Sequence, residues 1–515
     1  MKKLILLFLF FQFAVNHNYA QIYVATYGND DSLGTKEKPY ATFTKAISES
    51  APGDTICVRG GTYNLTTTIT ITAVKSGTDS QMCTMTAYNN EVPVLDFSEQ
   101  ELGSKGISLK SNYWHIIGLN ITKAGDNGMD INFGSNNIIE RCQFYRNNDT
   151  GLQLSAGSAN NQIINCDSYY NADPPDYADA DGFAPKLTVG SGNYFYGCRA
   201  WGNCDDGWDG YLRGADDVST TLENCWTWGN GYLENGSDPG SQANGNGFKM
   251  GGGDNSNSDS LMHHFTLIKC VAFNNKAKGF DQNNNMGSMI LYNCTGYNNQ
   301  TANYRIQRAI DPEQVVIVKN CLSYDGLAQL GDFAIQETNS WFPAFEVTAD
   351  DFLSLDTDLA SAARQADGSL PDIDLLHLAE GSDLIDAGVD LGFPFNGLAP
   401  DLGAFETDFT NSINEYKYTM PGDFQLLQNY PNPFNPTTHI SYILAKPEKV
   451  TLIIFNSVGQ KVATLVDGEM RETGLNTAIW NGRNKNGMIV PAGVYFYRLE
   501  LRNLIISTRK MLFIK

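Results

Sequence analysis

The 515-residue chain reads as an all-β protein, a parallel β-helix of about ten coils followed by a small Ig-like β-sandwich. Three observations carry that reading. A Cys recurs seven times with an aromatic three residues on and, in all but the last case, an Asn five residues on. Asn- and Gly-rich turns are frequent, whereas long helical periodicity is scarce. Residues 424–515 are a run of short alternating strands.

The N-terminus, MKKLILLFLFFQFAVNHNYAQ, sets Lys2 and Lys3 before an apolar run that closes on the small residue Ala20. That is the pattern of a secretory signal peptide over residues 1–20, too short for a membrane span with stop-transfer flanks. No later stretch is apolar enough to cross a bilayer, so an exported, soluble, monomeric protein is expected. With 35 Lys and Arg against 57 Asp and Glu, the net charge of −22 argues against nucleic acid as a partner. It opposes anionic polymers too, unless a basic patch or a bound cation reverses the local field.

The cysteines are Cys142, Cys166, Cys198, Cys225, Cys270, Cys294 and Cys321, separated by 24 to 45 residues. The aromatics are Tyr145, Tyr169, Trp201, Trp228, Phe273, Tyr297 and Tyr324. The asparagines are Asn147, Asn171, Asn203, Asn230, Asn275 and Asn299, and the pattern lapses to Gly326 at the seventh. A short unit of strands and turns with elastic insertions suits one coil of a solenoid, in which equivalent positions stack about 4.8 Å apart. Stacked Asn side chains can then hydrogen-bond along a ladder. Export and ten cysteines invite disulfides, but seven thiols in one column are better read as buried core. Cys57, Cys83 and Cys204 stay open.

A second element follows each Asn: a residue, Gly, then a large apolar residue. It reads Thr150-Gly151-Leu152, Asp181-Gly182-Phe183, Asp206-Gly207-Trp208, Asn246-Gly247-Phe248 and Lys278-Gly279-Phe280. Period-two alternation points the apolar residue inward and the next one out, giving an outward column Gln153, Ala184, Asp209, Lys249, Asp281. Asp181, Asp205, Asp206 and Asp209 then share one corner on two neighbouring coils. Four carboxylates so close do not all stay ionised without a cation between them. Oxygen donors on a turn suit Ca²⁺, and no His or Cys is arranged for zinc. The cluster is not an EF-hand, because that alignment puts Tyr177 first and Thr188 last, where acids are required.

One coil beyond Asp209 stands Lys249. A lysine beside a divalent cation has its charged form disfavoured, so a lowered pKa and a general-base role are expected. The C5 proton of a uronate is weakly acidic because the ionised C6 carboxylate opposes a carbanion. Calcium on that carboxylate relieves the opposition, a base removes H5, and O4 leaves by β-elimination. Lys186 and Arg213, expected on the same outward strand faces, are candidates to grip neighbouring carboxylates.

At these residues the chain resembles the family nine polysaccharide lyases, pectate lyases with a right-handed parallel β-helix. The segments that carry the likeness are DADGFAPKL, GCRAWGNCDDGWDG, ENCWTWGNG, NGNGFKMGG and KGFDQNNNMG, with YVATYGNDDSLGTKEKPYATFTKAI and PGDTICVRGGTYN at the start and DAGVDLGF and PDLGAFE at the end. The resemblance covers about residues 21–406. It implies calcium held by Asp181, Asp205, Asp206 and Asp209, Lys249 as the Brønsted base, and polygalacturonate or a related anionic polysaccharide as substrate. A polar linker, 407–423, leads to residues 424–515, which resemble the C-terminal sorting domain of type IX secretion cargo. That implies outer-membrane export by the type IX machinery and a secreted or surface location; physics alone gives only a sandwich module.

Three other readings remain open from sequence: a lyase on another uronide polymer, a polygalacturonase-type hydrolase using paired carboxylates, and a non-catalytic, calcium-stapled carbohydrate-binding protein. His115, His263, His264, His377 and His439 match no triad or zinc spacing. Residues 349–366 are expected to carry a short helix within the solenoid's cap.

Overall fold

The computed structural model describes residues 19–253, 260–407 and most of 424–513. Most of the expected signal peptide and linker lie outside the described residues. Chain contacts separate two compact units, Met1–Thr410 and Asn411–Lys515.

Unit one is a parallel β-helix with walls of twelve, ten and ten strands. A single coil supplies one strand to each wall, as Asn193–Tyr196, Arg199–Trp201 and Trp208–Asp209 do. Register is fixed by columns of inward apolar side chains. Ile116, Ile139, Ile163, Phe195, Leu222, Leu267, Leu291 and Val318 pair in succession along one wall, all fully buried. A one-residue slip would turn the whole column to solvent. At the N-terminal end, helix Phe43–Glu49 packs Phe43, Ala46 and Ile47 into the same core, with Thr42 as its N-cap.

The repeated triplet forms three columns. All ten cysteines are buried free thiols, Cys57, Cys83 and Cys204 included. Cys166 and Cys198 reach carbonyls of the preceding coil, Ile139 O at 3.4 Å and Ile163 O at 3.3 Å. The aromatics stack face to face, Tyr145–Tyr169 at 5.1 Å, Tyr169–Trp201 at 4.3 Å and Trp201–Trp228 at 4.9 Å. Each Asn amide donates to the next Asn carbonyl, from Asn147→Asn171 (2.9 Å) to Asn275→Asn299 (2.8 Å). The lapse at Gly326 does not end the ladder, because Asn303 takes the seventh place and accepts from Asn299 at 2.9 Å. A second, shorter ladder, Asn137–Asn161–Asn193, runs elsewhere on the coil. Between aromatic and Asn the backbone turns through positive φ at Arg146, Tyr170, Gly202, Gly229, Asn274, Asn298 and Asp325.

The expected cap helix is instead two 3₁₀ turns, Ala349–Asp351 and Thr357–Ser361, in a strap along the side of the solenoid. Its cause is outward apolar residues that need cover: Trp226, Val271, Phe273 and Leu322 pack against Phe352, Leu375, Leu376 and Leu402. Arg199 and Arg364 clamp it by sharing buried Asp167, at 2.8 and 2.7 Å.

In unit two, strands Phe424–Leu426, Thr438–Leu444 and Gly474–Trp480 make one antiparallel sheet. Glu448–Asn456, Lys461–Arg471, Gly493–Leu501 and Leu504–Phe513 make another. Both feed one core through Ile440, Tyr442, Leu452, Tyr497 and Leu499.

Candidate active site

The site sits on one ten-strand wall, where Phe183–Pro185, Trp208–Asp209, Phe248–Lys249 and Lys278–Asp281 are neighbours. Phe183, Trp208, Phe248 and Phe280 stack inward at 4.8, 5.0 and 5.2 Å. Pairing of Asp209 with Lys249, and Lys249 with Asp281, sets the outward column in the expected order. The glycine before each aromatic is required by crowding: a Cβ on Gly207 would lie 2.0 Å from Thr227 Oγ1. The residues before two of these glycines, Asp181 and Asp206, are fully buried.

Asp181, Asp205 and Asp206 are fully buried, and each offers an oxygen within 4.8 Å of the others. Asp181 Oδ1 accepts from the Asp206 N–H at 3.2 Å. Asp206 Oδ1 accepts from the Asn246 N–H and Nδ2 at 2.7 and 2.9 Å. Asp205 Oδ1 accepts from the Asn244 N–H. Asp209, the fourth expected acid, is not among the three that converge and instead bridges two ammonium groups. Lys249 Nζ stands 3.3 Å from its Oδ1 and 3.2 Å from Asp206 Oδ2, while Lys186 Nζ stands 3.8 Å from its Oδ2 and 2.7 Å from Asp181 Oδ2.

Burial, reinforced by the neighbouring carboxylates, pushes Asp205 well above the usual range; it does the same to Asp181 even though Lys186 opposes it. Asp206 is raised by burial less the pull of Lys249. Asp209 is lowered, because the two lysines outweigh its burial. The lowering expected of Lys249 belongs to a cation-loaded site. In the cation-free chain its burial alone would lower it, but Asp209, Asp206, Asp205 and Asp181 together hold it well above its ordinary value. Lys186 departs from expectation. It and Arg213 follow the strands rather than lying on them, and Lys186 is buried with its ammonium turned back onto Asp181. The guanidinium of exposed Arg213 lies 5.8 Å from the Tyr211 ring.

A cleft of about 240 Å³ opens beside the acids, lined by Lys105, Asp149, Gln153, Lys186, Tyr211 and Arg213 among others. With Asp126 and Asn127, which lie between Lys105 and Asp149, the lining comes from five successive coils, so the cleft runs along the solenoid axis. Sequence reasoning missed Asp149, whose carboxyl burial pushes up to about 6. It also missed Asn244 and Asn246, which anchor Asp205 and Asp206. The repeated x-Gly-aromatic frame already put Asn246 in the column after Asp206, and that signal was available.

The donor set fits a hard divalent cation. It is all oxygen, three carboxylates converge, and Asp206 Oδ2 is buried with no hydrogen bond, its close partner being the Lys249 ammonium.

A β-helix wall bearing converging acids, an adjacent lysine and an axial cleft defines a class, the β-helix polysaccharide lyases. A family described as Pel9A-like, right-handed β-helix region, matches residues 22–324. Pectate lyase L of Dickeya chrysanthemi is 38% identical over 394 residues, 75% of this chain and 90% of that protein. The crystal structure of pectate lyase Pel9A superposes with TM-score 0.68 at 35% identity, covering 75% of this chain and 96% of that one. A rhamnogalacturonan lyase superposes with TM-score 0.60 at 25% identity, covering 70% and 96%. The chain belongs to the Pel9A-like right-handed β-helix family, and it is a polysaccharide lyase.

Proposed function

We propose that this protein is an exported, calcium-dependent pectate lyase that cleaves polygalacturonate by β-elimination, with Lys249 as base. The observation that carries the reading is the placement of Lys249 Nζ 3.2–3.3 Å from Asp206 and Asp209, with buried Asp205 and Asp206 one coil away and buried Asp181 two coils away. The names of the relatives support pectate as the substrate.

Asp181, Asp205, Asp206 and Asp209 would hold the calcium, which offsets their charge beside Lys249 and draws electron density from the substrate's C6 carboxylate. Lys249 Nζ takes the proton from C5. The C5–H pair becomes the C4=C5 double bond, and the C4–O4 bond breaks with its electrons on O4. Asn244 and Asn246 keep Asp205 and Asp206 from turning away, so their positions are set before substrate arrives. Lys186, held by Asp181, and Arg213, at the cleft rim, are suited to receive further carboxylates along the polymer.

The signal-peptide pattern at 1–20 and the sandwich at 424–513 support export and sorting by type IX machinery, with the enzyme acting as a monomer outside the cell. The test is the ultraviolet absorbance of the unsaturated uronide on polygalacturonate, with and without Ca²⁺, set beside alginate and rhamnogalacturonan. Hydrolysis forms no double bond, so chain shortening without absorbance refutes the proposal. Lys249→Ala should lower the rate about 10²–10⁴-fold while calorimetric Ca²⁺ binding survives. Asp205→Asn should weaken that binding directly.

A further inference from the structure

The two loops that carry and anchor the acids also flank a second, larger cavity of about 550 Å³ that is open to solvent. Pro174 and Tyr177 come from the loop that ends at Asp181. Leu233 and Glu234 come from the insertion that ends at Asn244, and Arg146 and Tyr170 come from two coil turns. None of these six belongs to the acid cluster.

Three features mark the cavity as built. First, the insertion is pinned as a wall. Arg146 meets Glu234 in a two-pronged ion pair (Nε 2.9 Å, Nη2 2.6 Å), Lys276 Nζ holds Asp238 at 2.6 Å and Gly240 O at 2.9 Å, and Tyr232 OH accepts from Gln300. Second, the opposite loop is rigid, since the Asp173 carboxylate accepts the N–H groups of Ala178, Asp179 and Ala180. Third, the turn position with positive φ holds Gly, Asn or Asp in the later five coils, residues for which that conformation is cheap. In the three coils before those it holds Lys123 (φ 57°), Arg146 (φ 54°) and Tyr170 (φ 56°), of which the last two line the cavity; Tyr177, across from them, has φ 55°. Three large side chains set at strained positions and facing one space point to a ligand there.

We propose that this cavity binds a neutral pyranose ring. Its size falls in the range of small-ligand sites. Tyr170, Tyr177 and Pro174 offer apolar faces to the C–H face of a sugar, while Arg146 donates to and Glu234 accepts from its hydroxyls. The charges of Arg146 and Glu234 are paired and cancel locally, so the lining favours a neutral sugar over an anionic one. This site is separate from the lyase chemistry and does not depend on it.

The test is ligand-observed NMR on the full chain with the methyl glycosides of galactose, rhamnose and xylose, and with galacturonic acid as the anionic counterpart. At least one neutral glycoside should receive saturation, and galacturonic acid should bind more weakly. Tyr177→Ala and Glu234→Gln should each weaken binding about tenfold or more, with melting temperature and polygalacturonate turnover unchanged. Arg146→Gly removes the guanidinium but keeps the turn, so it should lose binding in a folded chain. No saturation of any neutral glycoside, stronger binding of galacturonic acid, or unaltered binding in all three variants would overturn the proposal. Turnover of branched pectin against unbranched polygalacturonate by Glu234→Gln identifies the sugar's source. A loss confined to the branched polymer assigns it to the substrate's own side chains, and equal rates assign it to a separate glycan; either result supports the site.

Discussion

Asn203 lies at the centre of the asparagine ladder and directly precedes the segment bearing Asp205 and Asp206. Its Oδ1 accepts from Asn171 N (3.3 Å) and Nδ2 (2.8 Å), and its Nδ2 donates to Asn230 Oδ1 (3.1 Å) and Ser168 O (3.2 Å). Asn203→Ala deletes all four. At about 1 kcal/mol net for each bond, and with the buried Asn171 N–H left unpaired, the loss is about 4 kcal/mol. Asn203→Asp is the sharper variant. A carboxylate can accept from Asn171, but it cannot donate to Asn230 or Ser168, and it brings another charge beside the acid cluster. It should therefore cost more than Ala at neutral pH, with the gap closing on acidification as the carboxyl regains a proton to donate. Urea unfolding of the three proteins at neutral and acidic pH measures both effects. A loss below about 1 kcal/mol for Ala, or Asp matching the parent at neutral pH, would refute the view that two-way hydrogen bonding is what the column selects.

The other predictions concern stability at other points in the solenoid. His263 is buried between Gly210 O and Thr220 Oγ1, both at 2.8 Å, and burial pushes it down to about 4. The unfolded chain, with a normal histidine near 6.5, binds the proton more readily, so this group's contribution is full above about 6.5 and is lost as pH falls towards 4. The loss amounts to about 3 kcal/mol, and it should appear as the difference in pH dependence between parent and His263→Gln; parallel profiles would contradict it. Asp167→Ala leaves Arg199 and Arg364 buried without their shared carboxylate, and should cost about 3–5 kcal/mol with faster proteolysis of the strap at 345–405. Unchanged cleavage would show that the apolar contacts alone hold the strap. Gly207→Ala should abolish folding or calcium binding, since its Cβ meets Thr227 Oγ1, whereas Gly229→Ala, with open space around it, should cost only the strain of its positive φ, about 1 kcal/mol, read by thermal melts.

The solenoid was legible from sequence because each coil repeats the same three demands, a buried thiol, a stacking ring and a two-way amide, at fixed offsets. Insertions between the columns stretch the spacing without disturbing the offsets, so Asp181, Asp206 and Asn246 could be aligned across 25- and 40-residue gaps. The outward column through Asp209 and Lys249 followed from strand alternation alone. What the period does not govern was missed. The strap carries no repeat, and its place depends on apolar residues that face outward from a strand wall, which alternation assigns to solvent. The seventh ladder position looked vacant because Asn303 reaches it from the following turn, four residues beyond Asn299. The anchoring of Asp205 by Asn244 depends on how a long insertion closes, which only coordinates reveal.

The direction of the Lys249 shift belongs to the cation-free chain. There four carboxylates surround the ammonium and hold it charged. A cation among those acids would act in the opposite sense, which is the condition the proposed base needs. Lys186 is held charged in the same way. Both ammonium groups lie against Asp209, one on each oxygen, which makes Asp209 the acid whose carboxyl stays lowered while Asp181, Asp205 and Asp206 are raised. Two lysines among four acids leave a formal excess of two negative charges, which one divalent cation would offset. Asp209, shared between the lysines, is therefore the residue through which the proposed cation and the proposed base would be electrostatically linked.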